Sequence, residues 1–114
     1  MNKKYGRHTP AFLLLFLAQK PSYGAALLAK MKGELPYCFA DSAIVYRSLQ
    51  DMEKQGLLET KWKIIEGGQP QKWYKITPKG ISALADFAID IKQRRENLDF
   101  FLARYNEVIK EEQN

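Results

Sequence analysis

The sequence predicts an α+β fold, mainly α, in which a winged helix-turn-helix is followed by a long C-terminal dimerisation helix. Three short helical segments lie within the first 55 residues, a pair of strands around a Gly-Gly turn follows them, and one long helical pattern closes the chain. We expect the winged helix-turn-helix to cover residues 1–80, with a basic N-terminal arm over 1–8, and the dimerisation helix to cover 81–114.

Proline and capping residues define the first two helices. Thr9-Pro10 predicts an N-cap followed by proline at the first helical position, where its missing N–H costs nothing. This helix is predicted to end near Gln19, because Lys20-Pro21 interrupts the pattern. Ser22 is expected to cap a second helix over residues 23–31.

A third helix is predicted from an N-cap at Asp41 to Gln55, because Gly56 supplies the usual stop after the last turn. Its apolar residues repeat at helical spacing, so at 100° per residue they share one side and are expected to pack inward. These residues are Val45, Leu49 and Met52.

The opposite side of the third helix has the composition of a DNA-reading surface. Arginine can bond guanine O6 and N7 together, glutamine can pair similarly with adenine, and tyrosine can hold a phosphate. A small residue near the helix start allows close approach to a groove floor. We therefore predict DNA contacts from Ser42, Ala43, Tyr46, Arg47 and Gln50. Any solvated helix face could show this composition, so it supports DNA binding only in combination with the basic hairpin that follows.

After Gly56 the pattern changes from helical to strand periodicity. Apolar and charged residues alternate over residues 57–65, and residues 71–76 form a second strand that is rich in aromatic side chains. The intervening turn, residues 66–70, makes the two strands a β-hairpin with a basic outer face. We predict that this hairpin contacts phosphates through Lys63, Lys72 and Lys75.

Thr77-Pro78 repeats the capping signal and begins the last helix, which neither proline nor glycine interrupts after Gly80. Its apolar side chains recur every seven residues, with Arg94 as a polar exception. A helix near thirty residues would be about 45 Å long, which outreaches so small a core. We therefore expect its stripe to pack against a second copy of the chain; a helix folded back on its own core is the alternative. The predicted dimerisation residues are Leu84, Phe87, Ile91, Leu98, Phe101, Leu102, Tyr105 and Val108.

The charge distribution favours two kinds of partner. Residues 1–33 carry six basic residues and no acidic one, and residues 57–80 have a net charge of +3. Residues 34–56 and 81–114 each have a net charge of −2. This polarity suits a protein that offers one side to double-stranded DNA and another to a second copy of itself, although an ordinary Lys-rich surface would look similar.

Four short motifs follow one another in a fixed order. They are Y-R-S-L at residues 46–49, M-E-K-Q-G-L-L at 52–58, G-G-Q-P-Q-K-W-Y-K-I at 67–76 and T-P-K-G at 77–80. This order resembles the PadR family of transcriptional regulators. The resemblance implies a winged helix whose third helix enters the major groove and whose wing follows the DNA backbone. It also implies dimerisation through the last helix, often with help from the first.

The sequence does not favour an enzyme, a metalloprotein or a membrane protein. His8 is the only histidine and Cys38 the only cysteine, so neither a metal-ligand cluster nor an internal disulfide is expected. Gly67-Gly68 lies between strands instead of before a helix, unlike a phosphate-binding loop. The longest apolar stretch, residues 11–18, is far shorter than the roughly 20 residues of a membrane span. We expect no cofactor and a cytoplasmic protein.

Trp62, Trp73 and Tyr74 have two interpretations. Packing in the core is the commoner use of aromatic residues on strands, and stacking on a small aromatic ligand is the other. Phe87, Phe100 and Phe101 could line such a ligand pocket between two long helices.

Together these features predict a transcriptional repressor that binds a two-fold symmetric operator as a homodimer, with release by an aromatic effector left open. A winged-helix module for protein interaction without DNA is the alternative, since the fold serves both roles.

Overall fold

A computed structural model describes residues 8–113, which form four α-helices and one three-stranded antiparallel sheet. The predicted basic arm lies outside the described residues except for its last residue, His8. The elements are α1 (Thr9–Gln19), β1 (Ser22–Tyr23), α2 (Gly24–Glu34), α3 (Ser42–Lys54), β2 (Leu58–Ile64), β3 (Pro70–Ile76) and α4 (Pro78–Gln113). This order is that of a winged helix-turn-helix followed by a long helix, as predicted.

Of the four predicted helix caps, two are confirmed and two, Thr9 and Ser22, are wrong. The backbone N–H of Ile44 donates to the Asp41 carboxylate at 2.9 Å, and the N–H of Gly80 donates to the Thr77 hydroxyl at 3.1 Å. Thr9 does not cap α1, because the helix begins at Thr9 itself and the residue is buried. The cap position of α1 carries no side-chain hydrogen bond.

The segment before α2 is the one element that the sequence did not predict. Ser22 does not cap α2; instead, Ser22 and Tyr23 are extended and pair antiparallel with β3, opposite Tyr74 and Trp73 respectively. A strand of two residues is too short to show the alternation by which strands are recognised. The sheet consequently has the order β1-β3-β2 instead of being a simple hairpin.

The strands β2 and β3 form the predicted hairpin, which we call the wing. Their register runs from Leu58 opposite Ile76 to Ile64 opposite Pro70. Gly67 in the connecting turn has φ of 88°, in the left-handed region that glycine adopts without strain. Alternation along the strands gives the wing an inner face, which packs on the helices near its base, and an outer face.

The core lies where α1, α2 and α3 meet the inner face of the sheet. Leu13, Leu14 and Leu17 of α1 are almost fully enclosed, whereas Leu15 is exposed. Each such buried side chain contributes about 1.5–3 kcal/mol. Gly80 at the start of α4 is also buried, and a Cβ there would overlap the Leu57 carbonyl. The main buried residues are Leu13, Leu14, Leu17, Leu27, Met31, Val45, Leu49, Met52, Leu58 and Tyr74.

Two compact units make up the chain: Met1–Leu84, which we call the winged unit, and Ala85–Asn114, the helical unit. Within the helical unit, the guanidinium of Arg94 bonds the carboxylate of Asp90 one turn away at 2.8 Å. The rings of Phe101 and Tyr105 stack with centroids 6.3 Å apart. None of the helices between residues 8 and 113 has the length and apolar character that spanning a membrane requires.

Candidate nucleic-acid interface

Helix α3 has one buried side and one polar exposed side, as the sequence predicts. Leu49 is fully buried, and the other two apolar residues of its side are equally enclosed. Arg47 is exposed and has no ion-pair partner among residues 8–113. All five predicted contact residues of this helix are exposed, namely Ser42, Ala43, Tyr46, Arg47 and Gln50. We call α3 the recognition helix; its contacts to DNA stay a prediction.

Tyr46 extends from the recognition helix to the start of α2. Its ring lies so close to Gly24, the first residue of α2, that a Cβ on Gly24 would overlap it. Tyr46 is 45% exposed, and its hydroxyl lies beside the N-terminal, electropositive end of α2. Sequence reasoning missed Gly24; a glycine at the first position of a helix was the only available signal.

The outer face of the wing is basic and carries an aromatic cluster. Lys63 places its ammonium 3.9 Å from the centroid of the Trp73 ring, and the Tyr23 ring lies 5.1 Å from the same tryptophan. Lys75 is exposed on this face as well. A groove of about 480 Å³ runs here, lined by Pro21, Glu59, Thr60, Lys61, Lys63, Trp73, Tyr74 and Lys75. Three ammonium groups against one carboxylate make this groove attractive to an anion.

The aromatic residues of the wing have three different environments. Tyr74 is buried in the core, as predicted. Trp73 is half-buried on the outer face, where its indole N–H donates to the Gln71 side chain at 2.8 Å. Trp62 is 61% exposed, so the core interpretation is wrong for it. The reason is geometric: the inner face is covered at the base of the wing, and Trp62 lies four residues beyond Leu58.

Lys72 lies on the opposite face of the wing from Lys63 and Lys75. Its ammonium bonds the Glu53 carboxylate of the recognition helix at 2.8 Å, and the Thr60 hydroxyl donates to the other oxygen at 3.0 Å. The hydrogen bond from Lys72 holds the pKa of Glu53 below its usual value of 4.5. The same bond raises the pKa of Lys72 above 10.5. Lys72 is therefore already engaged within the protein.

The predicted dimerisation residues all lie on α4 and fall into two groups by exposure. Leu84, Phe87 and Ile91 are partly buried. The residues of the second group are each more than half exposed: Leu98, Phe101, Leu102, Tyr105 and Val108. Such a run of large apolar side chains is typical of a protein interface. Whether they form the dimer stays a prediction.

The fold, the exposed recognition helix and the basic wing define the class of protein as a winged helix-turn-helix. The family model of the transcriptional regulator PadR-like family matches residues 13–86, and the chain belongs to this family. The resemblance found in the sequence is thereby confirmed, and with it the class of DNA-binding transcriptional regulators.

Solved structures of similar proteins agree in fold. A candidate transcriptional regulator from Thermoplasma acidophilum has a TM-score of 0.78 and 23% identity, with 89% of this chain and 96% of that chain covered. A PadR-like regulator from Bacillus cereus has a TM-score of 0.69 and 25% identity, with 83% and 91% covered. A PadR family regulator from Clostridium difficile has a TM-score of 0.70 at 18% identity, with 83% and 98% covered.

Proposed function

We propose that the protein is a cytoplasmic repressor that binds a two-fold symmetric DNA operator as a homodimer. The observation that carries this proposal is the recognition helix, whose apolar side is fully buried while its polar side, with Arg47 and Gln50, is exposed. In winged helices of this class the exposed side enters the major groove. Arg47 would then read guanine and Gln50 adenine, because each can make two hydrogen bonds to its base.

Residues 1–80 would form the DNA-binding domain, and residues 81–114 would join two such domains. Support for the second part comes from the exposed apolar residues of α4, which need a partner surface of similar length. A two-fold dimer places two recognition helices against half-sites about 34 Å apart. Lys63 and Lys75 on the outer face of the wing would contact phosphates beside each half-site.

The proposal includes control by a small aromatic effector that binds between the long helices of the dimer. Phe87, Phe100 and Phe101 supply aromatic surface on α4 for a flat ligand. Such a ligand would act by changing the separation of the two recognition helices. Flat aromatic compounds that leave operator affinity unchanged at saturating concentration would remove this part of the proposal.

The test is the affinity of the purified protein for duplex DNA from the promoter of its own gene and for random duplex, at several salt concentrations. A repressor of this kind binds one protected site far more tightly than random DNA, and both affinities fall steeply with salt. Protein that is not retained on either duplex at low salt would contradict the proposal and favour a winged helix used for protein interaction.

A further inference from the structure

One carboxylate connects the recognition helix to both strands of the wing. Glu53 lies in the last turn of α3, and its two oxygens accept hydrogen bonds from Lys72 of β3 at 2.8 Å and from Thr60 of β2 at 3.0 Å. The two side chains of the ion pair are about one-third exposed or less. Partial shielding of this kind makes the pair stronger than a fully solvated one.

Two aromatic rings also lie close to the Lys72 ammonium. Its Nζ lies 5.5 Å from the centroid of Tyr74 and 6.0 Å from that of Trp62. Both rings belong to the inner face of the wing, because residues 62 and 72 are opposite each other in the register and 74 follows on the same side. Lys63, by contrast, lies opposite Gln71 on the outer face and is exposed.

We propose that Lys72 and Glu53 are positioning residues for DNA binding: their ion pair, with Thr60, fixes the angle between the wing and the recognition helix. Lys72 is then not a phosphate ligand, which revises the role that the sequence suggested for it. This inference rests on the proposed function, because the angle matters only if both elements meet one DNA duplex.

The wing needs such a connection. It leaves the recognition helix through a short turn at Gly56, where φ is 80°, and a two-stranded hairpin that extends past its core has little stability of its own. Without the pair, the wing would sample several angles, and Glu53 would present an unpaired carboxylate on the recognition helix. The fixed angle lets base contacts and phosphate contacts form together, which favours the operator over random DNA.

Counterion release distinguishes this role from phosphate binding. Each lysine that neutralises a phosphate contributes about 0.9 to the slope of log affinity against log salt. The double variant Glu53→Gln with Lys72→Gln keeps the net charge of the protein unchanged. We expect it to keep the wild-type slope while its operator affinity falls by roughly tenfold and its random-duplex affinity changes little. The matched control Lys63→Gln, on the outer face, should lose about 0.9 in slope.

Two further variants test the pair itself. Lys72→Arg keeps a cation beside Glu53 and should restore most of the operator affinity, which a general loss of packing would not explain. The change in operator binding free energy of the double variant should differ from the sum of the changes of Glu53→Gln and Lys72→Gln, as expected for residues in contact.

A double variant whose slope falls as much as that of Lys63→Gln would show that Lys72 binds phosphate and would overturn the inference. Additive single variants would overturn it as well. If the double variant does not fold, as judged by circular dichroism, folded Lys72→Gln decides the same question, because its slope falls by about 0.9 only if Lys72 neutralises a phosphate. Wild-type protein that shows no salt-dependent DNA binding would instead contradict the proposed function, so the two failures are distinguishable.

Discussion

In the winged unit, Leu49 on the inner side of α3 is fully buried, whereas in the helical unit Leu98, on an equally regular apolar repeat of α4, is 63% exposed. Both residues belong to a repeat of apolar side chains at helical spacing. The first repeat is covered by α1, α2 and the sheet, which lie within the same unit. Periodicity therefore identifies the apolar side of a helix. Whether other residues of the same chain bury that side depends on the tertiary fold.

The largest effect is expected when a charge is introduced among the exposed apolar residues of α4 in the helical unit. Leu98→Asp places a carboxylate in a surface that we propose is buried between two copies, so dimer stability should fall by several kcal/mol. Sedimentation should show monomer at concentrations where the wild type is dimeric. Asn97→Asp, which adds the same charge at the neighbouring position outside the predicted stripe, is the control. A Leu98→Asp protein that sediments like the wild type would contradict the dimer interface.

The next prediction compares equal truncations in the two units. Leu49→Ala removes a fully buried side chain and should lower the free energy of unfolding of the winged unit by about 2–5 kcal/mol, at any protein concentration. Leu98→Ala should have an effect that depends on protein concentration, because it lowers the stability of the dimer and not that of the monomer. Denaturant titrations at two concentrations a hundredfold apart measure the difference. Equal, concentration-independent effects would mean that α4 is covered within its own chain.

A smaller effect separates the two DNA-contacting elements of the winged unit. Arg47→Ala should cost roughly 1–3 kcal/mol on the operator and much less on random duplex, because a bidentate base contact is lost. Lys75→Ala should weaken both duplexes alike and reduce the salt slope by about 0.9, because a phosphate contact is lost. Fluorescence anisotropy at several salt concentrations gives both quantities. An Arg47→Ala variant that weakens both duplexes equally would make Arg47 a phosphate ligand.

The sequence predicted the helices, the wing and the two sides of the recognition helix because each depends on local chemistry. Asp41, Gly56 and Thr77 determine helix ends through their own backbone and side-chain bonds, so no distant residue is needed to interpret them. The apolar side of α3 follows in the same way from spacing alone. These predictions required no knowledge of what the elements pack against.

The features that the sequence did not predict depend on distant neighbours. Ser22 forms a strand only because β3 lies beside it. Lys63 and Lys72 are each next to a tryptophan in the sequence, and only the register across the turn places Lys72 opposite Trp62, on the face that meets Glu53. The closeness of Gly24 to Tyr46 likewise appears only when α2 and α3 have packed. Tertiary contacts of this kind leave little trace in periodicity.

The smallest predicted effect is a dependence of stability on pH that arises in the winged unit. The hydrogen bond from Lys72 lowers the folded-state pKa of Glu53 below 4.5. A carboxylate with a depressed pKa stabilises the folded protein above its unfolded-state pKa, and this contribution is lost as pH falls through the folded-state pKa. Glu53→Gln should therefore be less stable than the wild type near neutral pH by at most about 1 kcal/mol, since the pair is partly exposed and screened by salt.

Below pH 4.5 the difference between wild type and Glu53→Gln should shrink and then disappear, because protonation removes the same charge that the substitution removes. Above pH 10.5 it should also shrink, and it should disappear once pH exceeds the raised pKa of Lys72 and the ammonium loses its proton in the folded protein. Urea unfolding of both proteins at pH 3, 7 and 9 measures how this stability difference changes on the acid side. Glu59→Gln, in the same wing but on its outer face, provides the comparison. A stability difference for Glu53→Gln that stays constant from pH 7 to pH 3 would show that the carboxylate charge does not hold the wing to the recognition helix.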